Sequence, residues 1–325
     1  MSRAPGASVG GAGERHASAL RDVVVLAGTA NPGLAEAIAR ELELALGGCR
    51  IERFPDGEMH VEVDAAAVEG RRVFIVEPTS KVASDHLLEL LLLADACRRA
   101  GAVWVTAVMP YFGYARQDKR TRPGEALGAR VVAEVLGAAR FERIVAVDLH
   151  SDVVEASLST PVEHLTAVPP LAEAVERQAP RAGVVVAPDL GAVRLARAYS
   201  RLLLLPMAVV HKVRTSGTEV SVERVAGEVG GLRPIIVDDM IATGGTIVAA
   251  AHALFDAGSK REVVVAATHA VLAPGALDRL LAAGLDRLFV TDTIALAPAH
   301  PSVTVVSAAP LLASCIRRIT ARRST

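Results

Sequence analysis

The sequence is poor in aromatic residues, in cysteine and in net charge. Phe, Trp and Tyr make up 3% of the 325 residues, the three cysteines lie far apart without a Cys-x-x-Cys pair, and the formal net charge is -1. A disulfide framework or a zinc cluster is therefore not expected, and a reducing compartment is favoured. The near-neutral charge gives no general attraction to nucleic acid or to an anionic membrane.

The sequence also lacks the patterns of a signal peptide and of a transmembrane helix. Residues 1–20 are rich in Gly, Ala and Ser without an apolar core, so we expect a flexible N-terminal tail. The run "LLELLLLADACRRAG" turns polar too soon to cross a bilayer. These features predict a soluble, cytoplasmic protein without membrane or nucleic-acid partners.

Short runs rich in Val and Ile alternate with longer helical patterns along the chain. Runs such as "DVVVLAG", "RRVFIVEP", "RIVAVDLH", "GVVVAPD" and "PIIVDDM" are apolar throughout, as strands buried on both faces of a parallel sheet are. Patterns such as "GLAEAIARELELAL" and "TIVAAAHALFDAG" predict the helices between them. The alternation predicts an α/β fold with mainly parallel sheets flanked by helices.

A coarse internal repeat indicates two domains. The segment "GRRVFIVEPTS…LLLLADACRRAGAVWVTAVMPYFG" parallels "GLRPIIVDDMIATGG…AAHALFDAGSKREVVVAATHAVLAPG", and both predict strand, loop, helix and strand. We therefore predict a tail at 1–20, a first domain at 21–165 and a second domain at 166–325. Alternating strands and helices can produce such similarity by chance, so duplication stays open on this pattern alone.

The stretch "PIIVDDMIATGGTIVAAAHAL" (234–254) carries the clearest chemistry. The apolar run ends at Val237, and ligands of open α/β sheets bind at the carboxyl ends of strands, so Asp238 and Asp239 are expected at that edge. The following residues offer backbone N–H groups and hydroxyls, and a helix expected to start at Thr246 or Ile247 favours an anion at its N-terminus. The predicted cradle residues are Ala242, Thr243, Gly244, Gly245 and Thr246.

A pentose phosphate matches both halves of this stretch. Its hydroxyls suit the aspartates, directly or through a divalent cation held by oxygen ligands, and its phosphate suits the glycine turn. The alternative is an ordinary helix start with incidental aspartates.

Two further motifs are each ambiguous on their own. "RFPDGEMHVEV" (53–63) predicts a turn before an alternating strand, since Pro-Asp-Gly is ordinary turn chemistry. "MPYFGYARQDKR" (109–120) places a basic cluster after a predicted strand, which is either a solvated loop or a phosphate- and base-contacting loop.

Taken together and in order, "FPDGE", "PYFGYARQDKR", "VDLH", "APDLG", "HKVR" and "VDDMIATGGT" resemble the ribose-phosphate pyrophosphokinase family. The resemblance runs from about residue 22 to residue 319. It implies two tandem domains of the type I phosphoribosyltransferase fold. It also implies transfer of pyrophosphate from ATP to the 1-hydroxyl of ribose 5-phosphate, with Mg²⁺ as cofactor. The substrates implied are therefore ATP and ribose 5-phosphate.

The resemblance also implies roles for individual residues. ATP would be bound by residues of the first two motifs, the first set reaching in from a neighbouring subunit: Phe54, Asp56, Glu58, Arg116 and Gln117. His150 and Asp189 match metal positions, although a histidine is less natural for a hard cation. Ribose 5-phosphate would be bound by Arg214, the aspartate pair and the glycine turn. Lys212 and Arg214 match the catalytic pair, and their i, i+2 spacing on a strand places them on one side.

Alternatives and departures from the family pattern remain. A catalytically silent regulatory homologue and a phosphoribosyltransferase that uses the product as substrate are the competing functions. Ala242 stands where many members carry Asp, which puts one ribose contact in doubt. The chain ends at "IRRITARRST", without the family's common Ser-rich tail, so we expect weak control by ADP and phosphate. Adenine contacts from a neighbour imply at least a dimer, and the sequence leaves dimer, tetramer and hexamer open.

Overall fold

The computed structural model describes residues 20–178, 183–214, 221–296 and 299–321, with the backbone alone for 212–214 and 221–223. Within these ranges the chain forms two sheets and one separate hairpin. No helix in the described part of the chain is long and apolar enough to cross a membrane.

The first sheet consists of parallel strands at the N-terminal side of the chain. The strands of this half are β1 (Val23–Ala27), β2 (Cys49–Arg53), β3 (Met59–Val63), β4 (Arg72–Val76), β5 (Trp104–Met109), β6 (Arg143–Val147) and β7 (Val162–Leu165). The sheet order is β1-β4-β5-β6-β7, and β2 and β3 pair as an antiparallel hairpin outside it. The helices are α1 (Pro32–Glu41), α2 (Ala65–Val68), α3 (Ala83–Arg99), α4 (Gly128–Ala138) and α5 (Asp152–Ser157).

The second sheet is larger and mixed at one edge. Its strands are β8 (Gly183–Ala187), β9 (Met207–Arg214), β10 (Ser221–Ala226), β11 (Arg233–Ile241), β12 (Val263–Ala270), β13 (Leu285–Thr291) and β14 (Val303–Val306). They lie in the order β10-β9-β8-β11-β12-β13-β14, and among the described pairs of this sheet the β9–β10 pair alone is antiparallel. The helices are α6 (Val168–Gln178), α7 (Val193–Leu203), α8 (Gly245–Asp256), α9 (Ala276–Ala282) and α10 (Ala309–Ala321).

The apolar runs form the central strands because helices cover both faces of each sheet. β4, β8 and β12 are buried along their whole length. One core lies between the two sheets and joins residues of α1, α6, α7 and α10 with both inner sheet faces. Two outer cores lie under α3 and α4 on one side and under α8 and α9 on the other. The predicted α/β class with two domains of this type is confirmed.

Polar contacts, in addition to the shared apolar core, hold the two halves of the chain together. Asn31 Nδ2 donates to the carbonyl of Asp292 at 2.7 Å, and Arg72 donates to the carbonyl of Thr320 at 3.2 Å. The predicted boundary between residues 165 and 166 falls in the connection between β7 and α6, which packs against β12 and β13. That boundary stays a prediction.

Two local predictions need correction. Asp238 and Asp239 lie inside β11, which runs to Ile241, and do not follow its end. The reason is that β11 keeps β12 as a partner to Ile241 but loses β8 after Ile236, so the two aspartates occupy a one-sided extension of the strand. Helix α8 begins at Gly245, one residue earlier than expected, because Gly244 serves as its N-cap residue.

Candidate functional site

The carboxyl ends of strands from both sheets open into one cavity. Its volume is about 1080 Å³. The first half contributes the segments after β5 and β6, and the second half contributes the end of β8, the end of β11 and the first turn of α8. Residues in the lining that bear on the chemistry are Asp118, Lys119, His150, Ser151, Asp189, His211, Asp238, Asp239, Gly245 and Thr246. The site therefore requires both halves of the chain.

A histidine of the first half meets an aspartate of the second half across this cavity. His150 Nδ1 lies 2.7 Å from Asp239 Oδ2. The hydrogen bond to Asp239 raises the pKa of His150 above its usual value. Burial alone would raise the pKa of Asp239, but the hydrogen bond and the charge of His150 outweigh it, and its pKa is lowered. We infer an ion pair in which His150 holds the proton.

The neighbouring aspartate has the opposite electrostatics. Burial and the charge of Asp239 raise the pKa of Asp238. Its Oδ1 accepts a hydrogen bond from the Asp239 backbone N–H at 2.9 Å. One ionised and one protonated carboxyl group side by side can accept from and donate to a diol, which matches the hydroxyl groups of a sugar.

The Thr-Gly-Gly-Thr turn leaves the start of α8 open to an anion. Gly244 has a φ of 78°, which favours a glycine, and a Cβ there would lie 3.2 Å from Leu280 Cγ, so that side chain would have to shift. Among the described residues no side-chain hydrogen bond caps the helix, and Thr243 Oγ1 lies 3.5 Å from the Gly245 N–H nitrogen, at the limit of a hydrogen bond. The first amides of the helix are thus available to a phosphate.

The predicted metal position Asp189 also lines the cavity. Its Oδ1 accepts from the backbone N–H groups of Gly191 and Ala192, at 2.8 and 3.1 Å. In the described part of the chain, no three His, Cys, Asp or Glu side chains converge closely enough to hold a metal by themselves. This donor set fits Mg²⁺, which proteins bind through one or two carboxylates together with substrate phosphates rather than in a complete protein cage.

The predicted catalytic pair lies on the strand that borders the cavity. The backbones of Lys212 and Arg214 belong to β9, as expected, and Lys212 is paired with Glu223 of β10. Their side chains lie outside the described residues. The preceding His211 lines the cavity. Residues 215–220 of the predicted closing hairpin also lie outside the described residues.

The predicted ATP-binding residues Arg116 and Gln117 lie in the basic loop after β5, and their role stays a prediction. Both are exposed and neither lines the cavity, and the Gln117 side chain lies against Gly128 at the start of α4. The next two residues, Asp118 and Lys119, line it instead.

The Phe-Pro-Asp-Gly-Glu motif lies apart from the cavity. It forms the turn between β2 and β3, where Phe54 is 50% exposed and Glu58 N–H donates to Asp56 Oδ1 at 3.1 Å. None of the described residues that line the cavity comes from this hairpin. Phe54, Asp56 and Glu58 are therefore presented on the surface of this chain.

Several residues at the site were not predicted from the sequence. Asp118 Oδ2 accepts a hydrogen bond from Ser151 Oγ at 2.7 Å, and its buried Oδ1 has no partner among the described residues. His164 and His269 contact the loop that carries His150. Basic neighbours concealed Asp118. His269 lies in a predicted strand, where a single histidine has no pattern, and His164 lies in β7, a strand that was not predicted. Their signal was position at strand carboxyl ends.

A buried pair of carboxyl groups lies at the carboxyl edge of the first sheet. Glu77, fully buried at the end of β4, and Glu89 of α3 face the turn after β1. Thr29 donates to Glu89 from its N–H at 2.5 Å and from its hydroxyl at 2.6 Å. A Cβ on Gly28 would lie 1.7 Å from Glu77 Oε2. Burial, followed by the charge of Glu89, raises the pKa of Glu77 to about 9, so Glu77 is protonated at neutral pH.

Comparison with known proteins assigns both halves of the chain. Residues 23–139 match a family model described as the N-terminal domain of ribose phosphate pyrophosphokinase, and residues 171–287 match a phosphoribosyl transferase domain. A ribose-phosphate pyrophosphokinase of Burkholderia pseudomallei is 41% identical over 301 residues, which cover 91% of this chain and 94% of that protein. One of Gloeobacter violaceus is 42% identical over 298 residues, 91% of this chain and 89% of that protein.

A solved structure agrees with these relatives. The crystal structure of phosphoribosylpyrophosphate synthetase from Mycobacterium smegmatis matches with a TM-score of 0.85 and 38% sequence identity. The match covers 92% of this chain and 99% of that chain.

Proposed function

Because the chain belongs to the ribose-phosphate pyrophosphokinase family, we propose that its interdomain cavity is where the family's reaction takes place. The enzyme transfers pyrophosphate from ATP to the 1-hydroxyl of ribose 5-phosphate, giving 5-phosphoribosyl 1-diphosphate and AMP. One observation supports this placement most: Asp238 and Asp239, whose carboxyl groups suit sugar hydroxyls, line the same cavity as the open N-terminus of α8.

Ribose 5-phosphate binds with its phosphate at the Thr-Gly-Gly-Thr turn and its hydroxyls at the aspartates. The backbone N–H groups of Gly245 and Thr246 and the hydroxyl of Thr246 hold the phosphate. Asp238 and Asp239 orient the ribose. Ala242 adds no carboxylate, so the backbone donors and the aspartate pair carry recognition at this position.

The chemistry depends on positioning and charge neutralisation. The 1-hydroxyl oxygen attacks the β-phosphorus of ATP and gives its proton to solvent. A bond to the β-phosphorus forms as the bond to the α-phosphate oxygen breaks, and AMP leaves. Phosphoryl-type transfer of this kind needs electrostatic stabilisation more than covalent help. In this reaction Lys212 and Arg214 of β9 neutralise charge on the transferring oxygens.

Asp189 and His150 are the residues that would hold Mg²⁺ together with polyphosphate oxygens. The ion, when bound, neutralises phosphate charge and aligns the polyphosphate. His150 would hold the ion as a neutral imidazole, with Nδ1–H still donating to Asp239 and the proton of Nε2 released to solvent.

ATP binding requires a second subunit in this account. Arg116 and Gln117 lie on the exposed side of the loop after β5, and Phe54, Asp56 and Glu58 lie on an exposed hairpin turn away from the cavity. The hairpin of one subunit completes the adenine site of another, so the active form is at least a dimer.

The test combines binding and turnover in the purified chain. Thr246→Val removes one hydroxyl from the turn and should weaken ribose 5-phosphate binding by about tenfold, since a hydrogen bond to a charged group contributes ~1.5–3 kcal/mol. Thr304→Val, on the edge strand β14 outside the cavity lining, is the matched control. Equal affinity of both variants and the unaltered protein, measured by calorimetric titration, would place the sugar phosphate elsewhere.

A further inference from the structure

The turn after β6, residues 148–151, is held at each position by a different part of the chain. Leu149 N–H donates to His164 Nε2 at 3.0 Å, His150 bonds to Asp239, and Ser151 Oγ donates to Asp118. The Asp148 N–H donates to the carbonyl of Leu165 at 2.9 Å. A turn bonded at four consecutive residues has little freedom to move His150.

The backbone at the first of these residues is in an unfavourable conformation. Asp148 has a φ of 39°, in the left-handed region that favours glycine. Its carboxylate offsets this cost locally, since Oδ2 accepts from the Ala167 N–H at 2.9 Å and from the Thr268 hydroxyl at 2.6 Å. A conformation of this kind persists where the surroundings determine it, and Thr268 belongs to β12 of the second sheet.

His269, the next residue of β12, reaches the same turn from the second domain. It is 2% exposed. Its Nε2 lies 3.0 Å from the carbonyl oxygen of Val147 and 3.3 Å from that of Asp148. Both partners are acceptors, so Nε2 carries the proton and donates. Nδ1 then accepts from the Thr293 hydroxyl at 2.9 Å.

The ring of His269 also contacts the loop after β5. It packs edge-on against Tyr111, with ring centroids 5.1 Å apart and an interplanar angle of 69°. Tyr111 begins the segment that leads to Asp118 at the cavity. One buried side chain of the second domain thus contacts both first-domain segments that border the site.

We propose that His269 is a positioning residue: by donating to the carbonyl groups at the end of β6, it fixes the turn that presents His150 to Asp239. The proposal rests on the proposed role of His150 in the site. In this proposal the carboxyl end of β12 holds the two domains in the relative position that the reaction requires. His269 touches no substrate in this role and acts through the turn.

The expected effect is on turnover and on the order of the turn. In His269→Leu the donor is lost while a buried apolar side chain remains, so the carbonyl groups lose their partner and the turn relaxes. A displacement of about 1 Å at a reacting site can lower the rate by about 10²-fold, and we expect kcat to fall at least about tenfold. Hydrogen exchange in a peptide spanning residues 146–152 should accelerate by a similar factor in the absence of substrates.

Three variants separate positioning from general stability. His269→Gln places an amide donor near the position of Nε2 and should restore most of the turnover and of the exchange protection. Phe289→Leu removes packing from the fully buried core of β13, so it should lower the melting temperature without changing kcat or the exchange of 146–152. Thr268→Val removes the hydroxyl that donates to Asp148 and should lower turnover and exchange protection in the same way as His269→Leu, but less. It serves as the test when His269→Leu does not fold.

Two results would overturn the proposal. One is turnover within twofold of the unaltered enzyme in His269→Leu, or in Thr268→Val where His269→Leu is not folded. The other is loss of turnover and of exchange protection in Phe289→Leu to the same degree. The exchange measurement needs no substrate, and turnover of His150→Ala checks the underlying assignment separately. Full turnover in His150→Ala, together with faster hydrogen exchange of residues 146–152 in His269→Leu, would mean that the proposed function of His150 is wrong. The positioning role of His269 would then stand.

Discussion

Replacing Glu77 by Gln should stabilise the protein, and more so as the pH rises. Glu77 is fully buried, its Oε1 has no hydrogen-bond partner among the described residues, and its Oε2 is 3.4 Å from the Ala30 N–H nitrogen. Burial and the nearby charge of Glu89 raise its pKa from 4.5 to about 9. Gln has nearly the same shape and has no acidic proton to release on unfolding.

The sign follows from proton linkage. Between about pH 4.5 and about pH 9 the folded state keeps the proton of Glu77 while the unfolded state releases it, so folding stability falls with rising pH. Each pH unit in this window costs ~1.4 kcal/mol. The cost accumulated by neutral pH is therefore roughly 3 kcal/mol, and it rises to roughly 6 kcal/mol above pH 9. Below the ordinary pKa, the variant and the unaltered protein should be equally stable.

Urea unfolding at about pH 6 and about pH 8 measures this difference, which should grow by roughly 2–3 kcal/mol over the two units. Glu89→Gln is the matched control. Both Glu89 oxygens accept from Thr29, so an amide nitrogen there loses an acceptor and should destabilise the fold by about 1–3 kcal/mol. If the stability of Glu77→Gln runs parallel to that of the unaltered protein across this range, Glu77 is not protonated in the folded state and the argument is refuted.

Three further outcomes follow from the site and the fold. Lys212→Ala should lower kcat by roughly 10³-fold with an unchanged melting temperature; near-normal turnover would remove the catalytic assignment. Asp239→Asn should lower the pKa of His150, because its main cause, the hydrogen bond to the Asp239 carboxylate, is lost; an unchanged imidazole titration by NMR would contradict the ion pair. Gly28→Ala places a Cβ 1.7 Å from the buried Glu77 Oε2 and should abolish or strongly reduce stability. Gly33→Ala, whose Cβ would meet no described atom nearer than 4.0 Å, should be neutral. Equal melting temperatures of the two variants would show that the contact between Gly28 and Glu77 is absent.

The strands of the sheet centres were predictable because burial on both faces leaves a continuous apolar run. β4 and β8 are such strands. The edge strands β7 and β14 were not predicted, since their residues are half-buried and the runs "VEHL" and "VTVV" are short. The edge of a sheet removes the apolar signal on which the prediction depends.

The site was predictable as far as each motif is local in sequence. Asp238, Asp239 and the glycine turn form one segment, and their placement beside a helix start follows from residue types alone. The pairing of His150 with Asp239 joins positions 89 residues apart, and that of His269 with Val147 joins positions 122 residues apart. Such contacts arise from the packing of two domains, which no local pattern encodes.

The basic loop after β5 also contributes an acidic residue to the cavity, which its charge pattern did not indicate. The charges of Arg116, Lys119 and Arg120 drew the prediction to the cations. Arg116 is exposed, and Asp118 lines the cavity beside Ser151. Charge type alone does not determine which side of a loop faces a site.

The most direct test of the central claim is mass-resolved product analysis of the purified chain with ATP, Mg²⁺ and ribose 5-phosphate. If the cavity performs pyrophosphate transfer, the products are AMP and a ribose carrying both the β- and γ-phosphates on its 1-oxygen. Formation of ADP and a singly phosphorylated 1-oxygen, or no AMP from a folded chain that binds both substrates, would contradict the account.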